Sequence, residues 1–266
     1  DRAVLDVDLR AGDATGETEA LQGALTAARQ AGAREMEVLG LANLADFEAP
    51  AQARVDAETD GEDDAQTVVT PVSSNTALEK SGWFAHCSRT RIGSPYVIEV
   101  MQSLVQQGHT GIVGFEANGG FLLQNSIRGL APLPTRDSTL PILAVLSMAQ
   151  QQKAPLSALT RRLPPRFTEA DRIQNLPTVQ SQSFIARLQS DANALQSFLQ
   201  FTDDVPIHVD TTDGLRVTLA QGDIVHLRPS GNAPELRCYT ESATDKQAKH
   251  ILQAALQQVK SAVSNL

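Results

Sequence analysis

The sequence predicts an α/β fold in two parts, an α/β unit followed by an α+β unit. Three observations carry this. Apolar runs of strand length alternate with helix-period segments between residues 67 and 160, short strands with turn dipeptides crowd together after residue 200, and the paired prolines Pro164-Pro165 break the chain between them. The 266 residues are 41% hydrophobic, enough for more than one core. There are 22 Lys and Arg against 31 Asp and Glu, a formal charge of −9, and an acidic chain repels a phosphate backbone, which argues against a nucleic-acid partner. No apolar run reaches the roughly 18 residues of a membrane span, and Asp1-Arg2-Ala3-Val4 lacks the basic-then-apolar layout of a secretory signal. The expectation is a soluble, cytoplasmic protein without a membrane partner. The chain opens on Asp, as a piece of a longer protein would. Cys87 and Cys238 are far apart without metal-ligand spacing and read as free thiols.

Taken in order, Ala3 to Leu9 alternates as a strand, Glu17 to Gln30 has helical spacing, and Gly32 closes that helix before a strand at Met36–Leu39. Residues 1–66 hold 16 acids and 5 Arg, a charge of −11, and read as a short strand-helix-strand remnant whose end, 45–66, is an acidic linker. Residues 67–266 carry +2. Thr67 to Val72 reads as a buried strand, Asn75 to Lys80 opens a short helix, and Pro95 to Gln107 is a helix ended by Gly108. Gly111 to Phe115 is the next apolar strand, followed by a loop from Glu116 to Gly120 and a helix from Thr139 to Gln151. Residues 67–160 thus form one domain and 161–266 another. In the latter the pattern predicts one helix near Gln180 to Gln200, a meander of strands at 207–210, 215–219 and 224–227 with turns at Asp213-Gly214 and Gln221-Gly222, and a closing helix over 243–263. One face of that helix holds Ile251, Leu252, Ala255, Leu256 and Val259.

Two segments carry chemistry. Arg228-Pro229-Ser230-Gly231-Asn232-Ala233-Pro234-Glu235-Leu236-Arg237 offers a planar guanidinium fork, a hydroxyl and a turn whose backbone N–H groups can converge on one anion. On composition alone it fits a phosphate cradle and a surface hairpin equally. In Gly114-Phe115-Glu116-Ala117-Asn118-Gly119-Gly120, Glu and Asn alternate so that both can point the same way from an extended loop, which suits vicinal sugar hydroxyls; a plain exposed turn would look the same. The five histidines are scattered and read as structural or exposed, and Asp203, Asp204, Asp210 and Asp213 read as turn residues.

With Thr70-Pro71-Val72-Ser73-Ser74-Asn75-Thr76 and Arg89-Thr90-Arg91-Ile92-Gly93-Ser94-Pro95-Tyr96, these segments resemble, in order and over some 200 residues, the α-D-phosphohexomutase superfamily, specifically its bacterial phosphomannomutase/phosphoglucomutase-like members. The resemblance implies a phosphohexomutase-like α/β domain plus a C-terminal α+β phosphate-clamp domain, the third and fourth of four. It also implies transfer of a phosphoryl group between C1 and C6 of a hexose phosphate through a phosphoserine, with Mg²⁺ and a hexose 1,6-bisphosphate activator. By the same resemblance Glu116, Asn118, Arg91 and Ser94 would face the sugar, and Arg228, Ser230, Gly231 and Asn232, supported by Arg237, would hold the phosphate.

The chain departs from that pattern in two places. The family's serine lies in a Thr-Ala-Ser-His-Asn-Pro or Thr-Gly-Ser-His string, and neither occurs here, so a shortened, non-catalytic hexose-phosphate binding protein is the competing reading. Relatives hold Mg²⁺ on Asp-Gly-Asp-Gly-Asp-Arg, against which this chain sets Asp60-Gly61-Glu62-Asp63-Asp64, with acids at the alternate positions Asp60, Glu62 and Asp64.

Overall fold

A computed structural model of the chain describes residues 67–127 and 130–263. The expected strand-helix-strand at 3–39 and the acidic linker at 45–66 lie outside them. The chain divides into two compact units, one ending at Pro164 and one starting at Pro165.

In the first unit, β1 (Thr67–Pro71) is an inner strand of a five-stranded sheet in the order β2-β1-β3-β4-β5, where β2 is His86–Thr90, β3, the middle strand, is Ile112–Glu116, β4 is Gly120–Leu123 and β5 is Leu133–Asp137. β1 runs parallel to β2 and β3, while β3-β4 and β4-β5 are antiparallel. Every residue of β1 and β3 is buried. Their unbroken apolar runs follow from cover on both faces, since side chains alternate: Val69 and Ile112 pack with Val97 and Met101 of α2 (Ser94–Gln106), whereas Val68, Val113 and Phe115 pack with Leu78 of α1 (Ala77–Ser81), Phe121 and Leu123. β2 carries no periodic apolar signal, because His86-Cys87-Ser88-Arg89-Thr90 is an edge strand with a polar, half-exposed pattern. The expected helix after β5 is α3 (Thr139–Gln152), followed by a single turn, α4 (Leu156–Leu159).

The second unit is a fully antiparallel sheet in the order β6-β10-β9-β8-β7, with β6 Phe167–Gln174, β7 Pro206–Asp210, β8 Leu215–Leu219, β9 Ile224–Pro229 and β10 Glu235–Ser242. β7 to β10 form the expected meander, extended by one strand. β6, which periodicity missed because its residues are exposed or half-exposed, joins at the far edge. Helices cover one face: α7 (Asp245–Val263) buries Ile251, Leu252, Ala255, Leu256 and Val259 as expected, against Leu215, Val217, Leu227, Leu236 and Cys238 of the sheet.

The expectation of one helix near Gln180 to Gln200 is corrected. There are two, α5 (Thr178–Ser190) and α6 (Ala192–Phe198). Asp191 sits between them in extended conformation and accepts hydrogen bonds from the amides of Asn193 (2.9 Å) and Ala194 (3.1 Å), so a polar cap restarts the helix. The break lets Phe184 and Phe198 meet edge to face inside the core. Asp191→Ala is expected to destabilise the chain by about 1 kcal/mol, because the cap is lost while the core stays intact. A urea midpoint unchanged from wild type would show that the break is set by packing alone.

Candidate functional site

In a sheet with parallel strands, the C-terminal strand ends present loops to ligands. In the first unit those ends are Pro71, Thr90 and Glu116. The loop after β1 is pinned from below by Arg89, whose guanidinium donates to the carbonyls of Pro71 (3.0 Å), Ser74 (2.7 Å) and Asn75 (3.2 Å) and pairs with Glu79 at 2.7 Å. Arg89 thus organises the loop. The Thr70 hydroxyl donates to the Phe115 carbonyl at 2.9 Å and meets the Ser74 hydroxyl at 2.6 Å, tying the ends of β1 and β3 together.

Glu116 and Asn118 do not leave an extended loop. β3 continues through Glu116, which is buried, and the chain turns tightly back into β4 at Gly120, leaving Asn118 exposed. The reason is that β3 and β4 keep pairing up to Glu116 and Gly120. The two side chains still converge, through a residue that sequence reasoning missed. Arg136 of β5 lies 3.9 Å from the Glu116 carboxylate and donates to Asn118 Oδ1 at 2.7 Å. Gly120 makes room for it, since a Cβ there would stand 2.4 Å from Arg136 Nε. Ser94, the first residue of α2, donates to Glu116 Oε2. Arg91 is exposed and lies over the Tyr96 ring, 5.0 Å from its centroid. The structure therefore joins Ser94, Glu116, Asn118 and Arg136 in one contact chain.

In the second unit, Arg228 is the penultimate residue of β9 and the segment Ser230 to Pro234 is the hairpin to β10. Ser230 is buried, Gly231 and Asn232 are exposed, and two of the hairpin amides are already satisfied. Ser230 N–H donates to the Glu235 carbonyl (2.9 Å) and Asn232 N–H to Ser230 Oγ (3.4 Å). Gly231 makes no hydrogen bond among the described residues. Of the four N–H groups of the hairpin, those of Gly231 and Ala233 are thus left for an anion among the described residues.

Arg228 is held by a carboxylate. Its Nε lies 2.8 Å from Asp213 Oδ2, close enough for an ion pair although the N–H is not aligned for a hydrogen bond. Asp210 and Asp213 both lie at the turn as expected, Asp210 accepting from Thr212 N–H at 2.8 Å, while the pairing of Asp213 with Arg228 has no signature in sequence spacing. His226 is buried beside it, and its Nε2 contacts the Asp213 carbonyl at 2.7 Å, so Nε2 carries the proton and Nδ1 is left without a partner. Gly214 allows the turn to approach. It has φ +90°, and a Cβ would sit 2.2 Å from the Leu227 carbonyl oxygen. Arg237 donates from Nε to Glu235 at 2.9 Å, and that bond holds its pKa above the ordinary guanidinium value despite partial burial.

Asp60, Glu62 and Asp64 lie outside the described residues, and among the described residues no three His, Cys, Asp or Glu side chains cluster as a metal site. No described group fits Mg²⁺. Cys87 and Cys238 are free, and burial, aided by Glu79 at Cys87 and by Asp171 at Cys238, pushes both thiols up to about 12. No helix among the described residues is long and apolar enough to cross a membrane.

Two family models account for most of the chain. Phosphoglucomutase/phosphomannomutase alpha/beta/alpha domain III matches residues 51–167, and the C-terminal domain of the same family matches 167–258. The chain belongs to the phosphoglucomutase/phosphomannomutase family. It is 40% identical over 201 residues to a phosphomannomutase of Salmonella muenchen, covering 74% of this chain and 41% of that one. It is 42% identical over 205 residues to a phosphomannomutase of Sinorhizobium fredii, covering 73% and 41%. The chain thus spans about two fifths of the length of these relatives. Among solved structures, Aspergillus fumigatus N-acetylphosphoglucosamine mutase in complex with GlcNAc-6P and magnesium superposes with a TM-score of 0.52 at 13% identity, covering 86% of this chain and 46% of that one. At that identity the likeness is one of fold.

Burial disfavours the charged imidazole, and the neighbouring Arg216 and Arg228 add to this, so the pKa of His226 falls below 6.5 in the folded chain. Below pH 6.5 the unfolded chain binds a proton that the folded chain refuses, so stability should fall as pH drops from 6.5 and be flat above it as far as His226 is concerned. Chemical denaturation at several pH values checks this. A His226→Gln variant whose pH slope equals that of wild type would assign the slope to other groups.

Proposed function

We propose that this chain supplies the hexose- and phosphate-recognition elements of a phosphohexomutase, of phosphomannomutase or phosphoglucomutase type, whose reaction moves a phosphoryl group between C1 and C6 of a hexose phosphate. The observation that carries the reading is Arg228. It is a partly buried guanidinium near a strand end, ion-paired through Nε with Asp213 at 2.8 Å and with no hydrogen bond from its outer nitrogens to any described residue. Those nitrogens are a fork for a phosphate dianion, with the Ser230 hydroxyl, Gly231 N–H, Asn232 and Arg237 beside them. Fixing the phosphate that is not transferred matters because phosphoryl transfer is governed by positioning and charge neutralisation.

In the first unit, Glu116 and Asn118 would take sugar hydroxyls, Arg136 setting their orientation. Ser94 and Arg91 would flank them. Mg²⁺ and a hexose 1,6-bisphosphate belong to the reading through the family. The two thiols fit a reducing, cytoplasmic compartment.

Arg228→Ala should weaken glucose 6-phosphate binding by about 10-fold or more, the worth of a charge-assisted contact of roughly 1.5–3 kcal/mol, and leave the circular dichroism spectrum unchanged. An unaltered dissociation constant by calorimetry would remove the phosphate assignment. Glu116→Gln should weaken glucose 6-phosphate but not inorganic phosphate; equal loss of both would make Glu116 a support of the fold.

Turnover is a separate matter. The 266 residues contain neither serine string of the family, so the chain assayed alone with mannose 1-phosphate, Mg²⁺ and bisphosphate is expected to bind without converting. Formation of mannose 6-phosphate would mean that another residue carries the phosphoryl group.

A further inference from the structure

Glu116 stands in the last rung of β3, paired with Gly120 of β4, and the Arg136 side chain crosses above that glycine. Only a residue without a side chain allows the crossing, because a Cβ at Gly120 would lie 2.4 Å from Arg136 Nε and 2.8 Å from its Cγ. From there Arg136 Nη2 donates to Asn118 Oδ1 at 2.7 Å, and the Gly120 amide donates to the same oxygen at 3.2 Å. Both partners are donors with no acceptor capacity, so the atom they share is the amide oxygen. Turning the Asn118 side chain over would set its NH₂ against two N–H groups.

The buried carboxylate is committed in the same way. Ser94 Oγ–H donates to Glu116 Oε2, and Arg136 Nε stands 3.9 Å from that same oxygen. The other oxygen, Oε1, makes no hydrogen bond among the described residues and is not sealed from the surface. The Ser94 proton is spent on the carboxylate, so that hydroxyl has only lone pairs left for a ligand. Asn118 is exposed, and its Nδ2 has no partner among the described residues. Three groups are thus left with a fixed sense: acceptors at Ser94 and Glu116, a donor at Asn118.

We propose that Arg136 is a positioning residue that sets the direction of hydrogen bonding in the sugar site: by engaging Asn118 Oδ1 it makes Asn118 the donor, so that a hexose must give a hydroxyl proton to Glu116 Oε1 and receive the Asn118 N–H on an oxygen. This rests on the sugar reading of Glu116 and Asn118 given above, and adds to it a polarity and the residue that enforces it. Vicinal hydroxyls meet the demand, because each can donate or accept and one can do the first while its neighbour does the second. A ligand without a hydroxyl proton at the Glu116 position would cover a carboxylate oxygen and leave it unpaired, the mismatch that polar sites reject most strongly.

Calorimetric titration of the full chain with glucose 6-phosphate, with inorganic phosphate as the control, tests this. Asn118→Asp keeps the shape and the oxygen that Arg136 holds but replaces the donor by an acceptor. It should weaken glucose 6-phosphate about tenfold or more, as much as Asn118→Ala does, and change inorganic phosphate by less than about twofold. Arg136→Ala should weaken glucose 6-phosphate about fivefold, with Arg136→Lys recovering part of the loss, and should add less than about twofold in an Asn118→Ala background, a coupling that general loosening of the fold does not produce. An Arg136→Ala affinity equal to wild type, or its full loss in the Asn118→Ala background, would overturn the positioning role, the latter by making Arg136 a ligand contact itself. Loss with Asn118→Ala but not with Asn118→Asp would overturn the polarity and leave the sugar reading standing. If neither Glu116→Gln nor Asn118→Ala weakens glucose 6-phosphate, the hexose is not read here and both fall.

Discussion

Guanidiniums on neighbouring strands repel one another, and the second unit stands three of them in line, at Arg172, Arg237 and Arg228. What makes the arrangement tenable is a pair of carboxylates, the buried Glu235 and the half-buried Asp213, set into the row. Each acid is fixed by backbone. Glu235 begins β10 at the end of the hairpin, and Asp213 is carried by a turn that approaches β9 so closely that only Gly214 fits. His226 completes the support by donating to the Asp213 carbonyl. An arginine held at Nε keeps its outer nitrogens in a defined direction, which is what recognition of a planar or tetrahedral anion needs.

The first unit reaches a comparable end by different means. Its central strands are buried on both faces, which fixes the level at which β1 and β3 stop. Glu116 belongs to the last paired rung of β3, so its carboxylate is positioned by the sheet and not by a loop. Arg136 from β5 then bridges the buried Glu116 and the exposed Asn118, and the missing side chain at Gly120 is the space it occupies. In both units an arginine and an acid on separate strands keep a polar end rigid.

Charge works at two scales. Across its 266 residues the chain carries −9, which bears on solubility and on which large partners it repels. Locally the sheet face of the second unit presents more guanidinium than carboxylate, and a small anion responds to that near field, since the distant acids are screened beyond roughly 10 Å at ordinary ionic strength. An acidic protein and an anion-binding face are therefore compatible.

By itself the sequence determined the α/β and α+β character, the buried strands at Thr67 and Gly111, the apolar face of the closing helix and the motifs that mark the family. Each of these is written in local spacing: an unbroken apolar run, a 3.6-residue period, or a Gly-rich turn after a strand. It did not yield β2 or β6, whose exposed, polar residues carry no apolar signal, nor the break at Asp191, where a cap overrides continuous helical spacing. The partners of the candidate residues were equally beyond it. Arg136 meets Asn118 across 18 positions, Asp213 meets Arg228 across a turn and a strand, and Arg172 meets Glu235 only because β6 pairs with β10 more than 60 residues away. Strand order and register decided those meetings, because pairing in a sheet sets which distant side chains share a face and a short-range pattern holds no record of it.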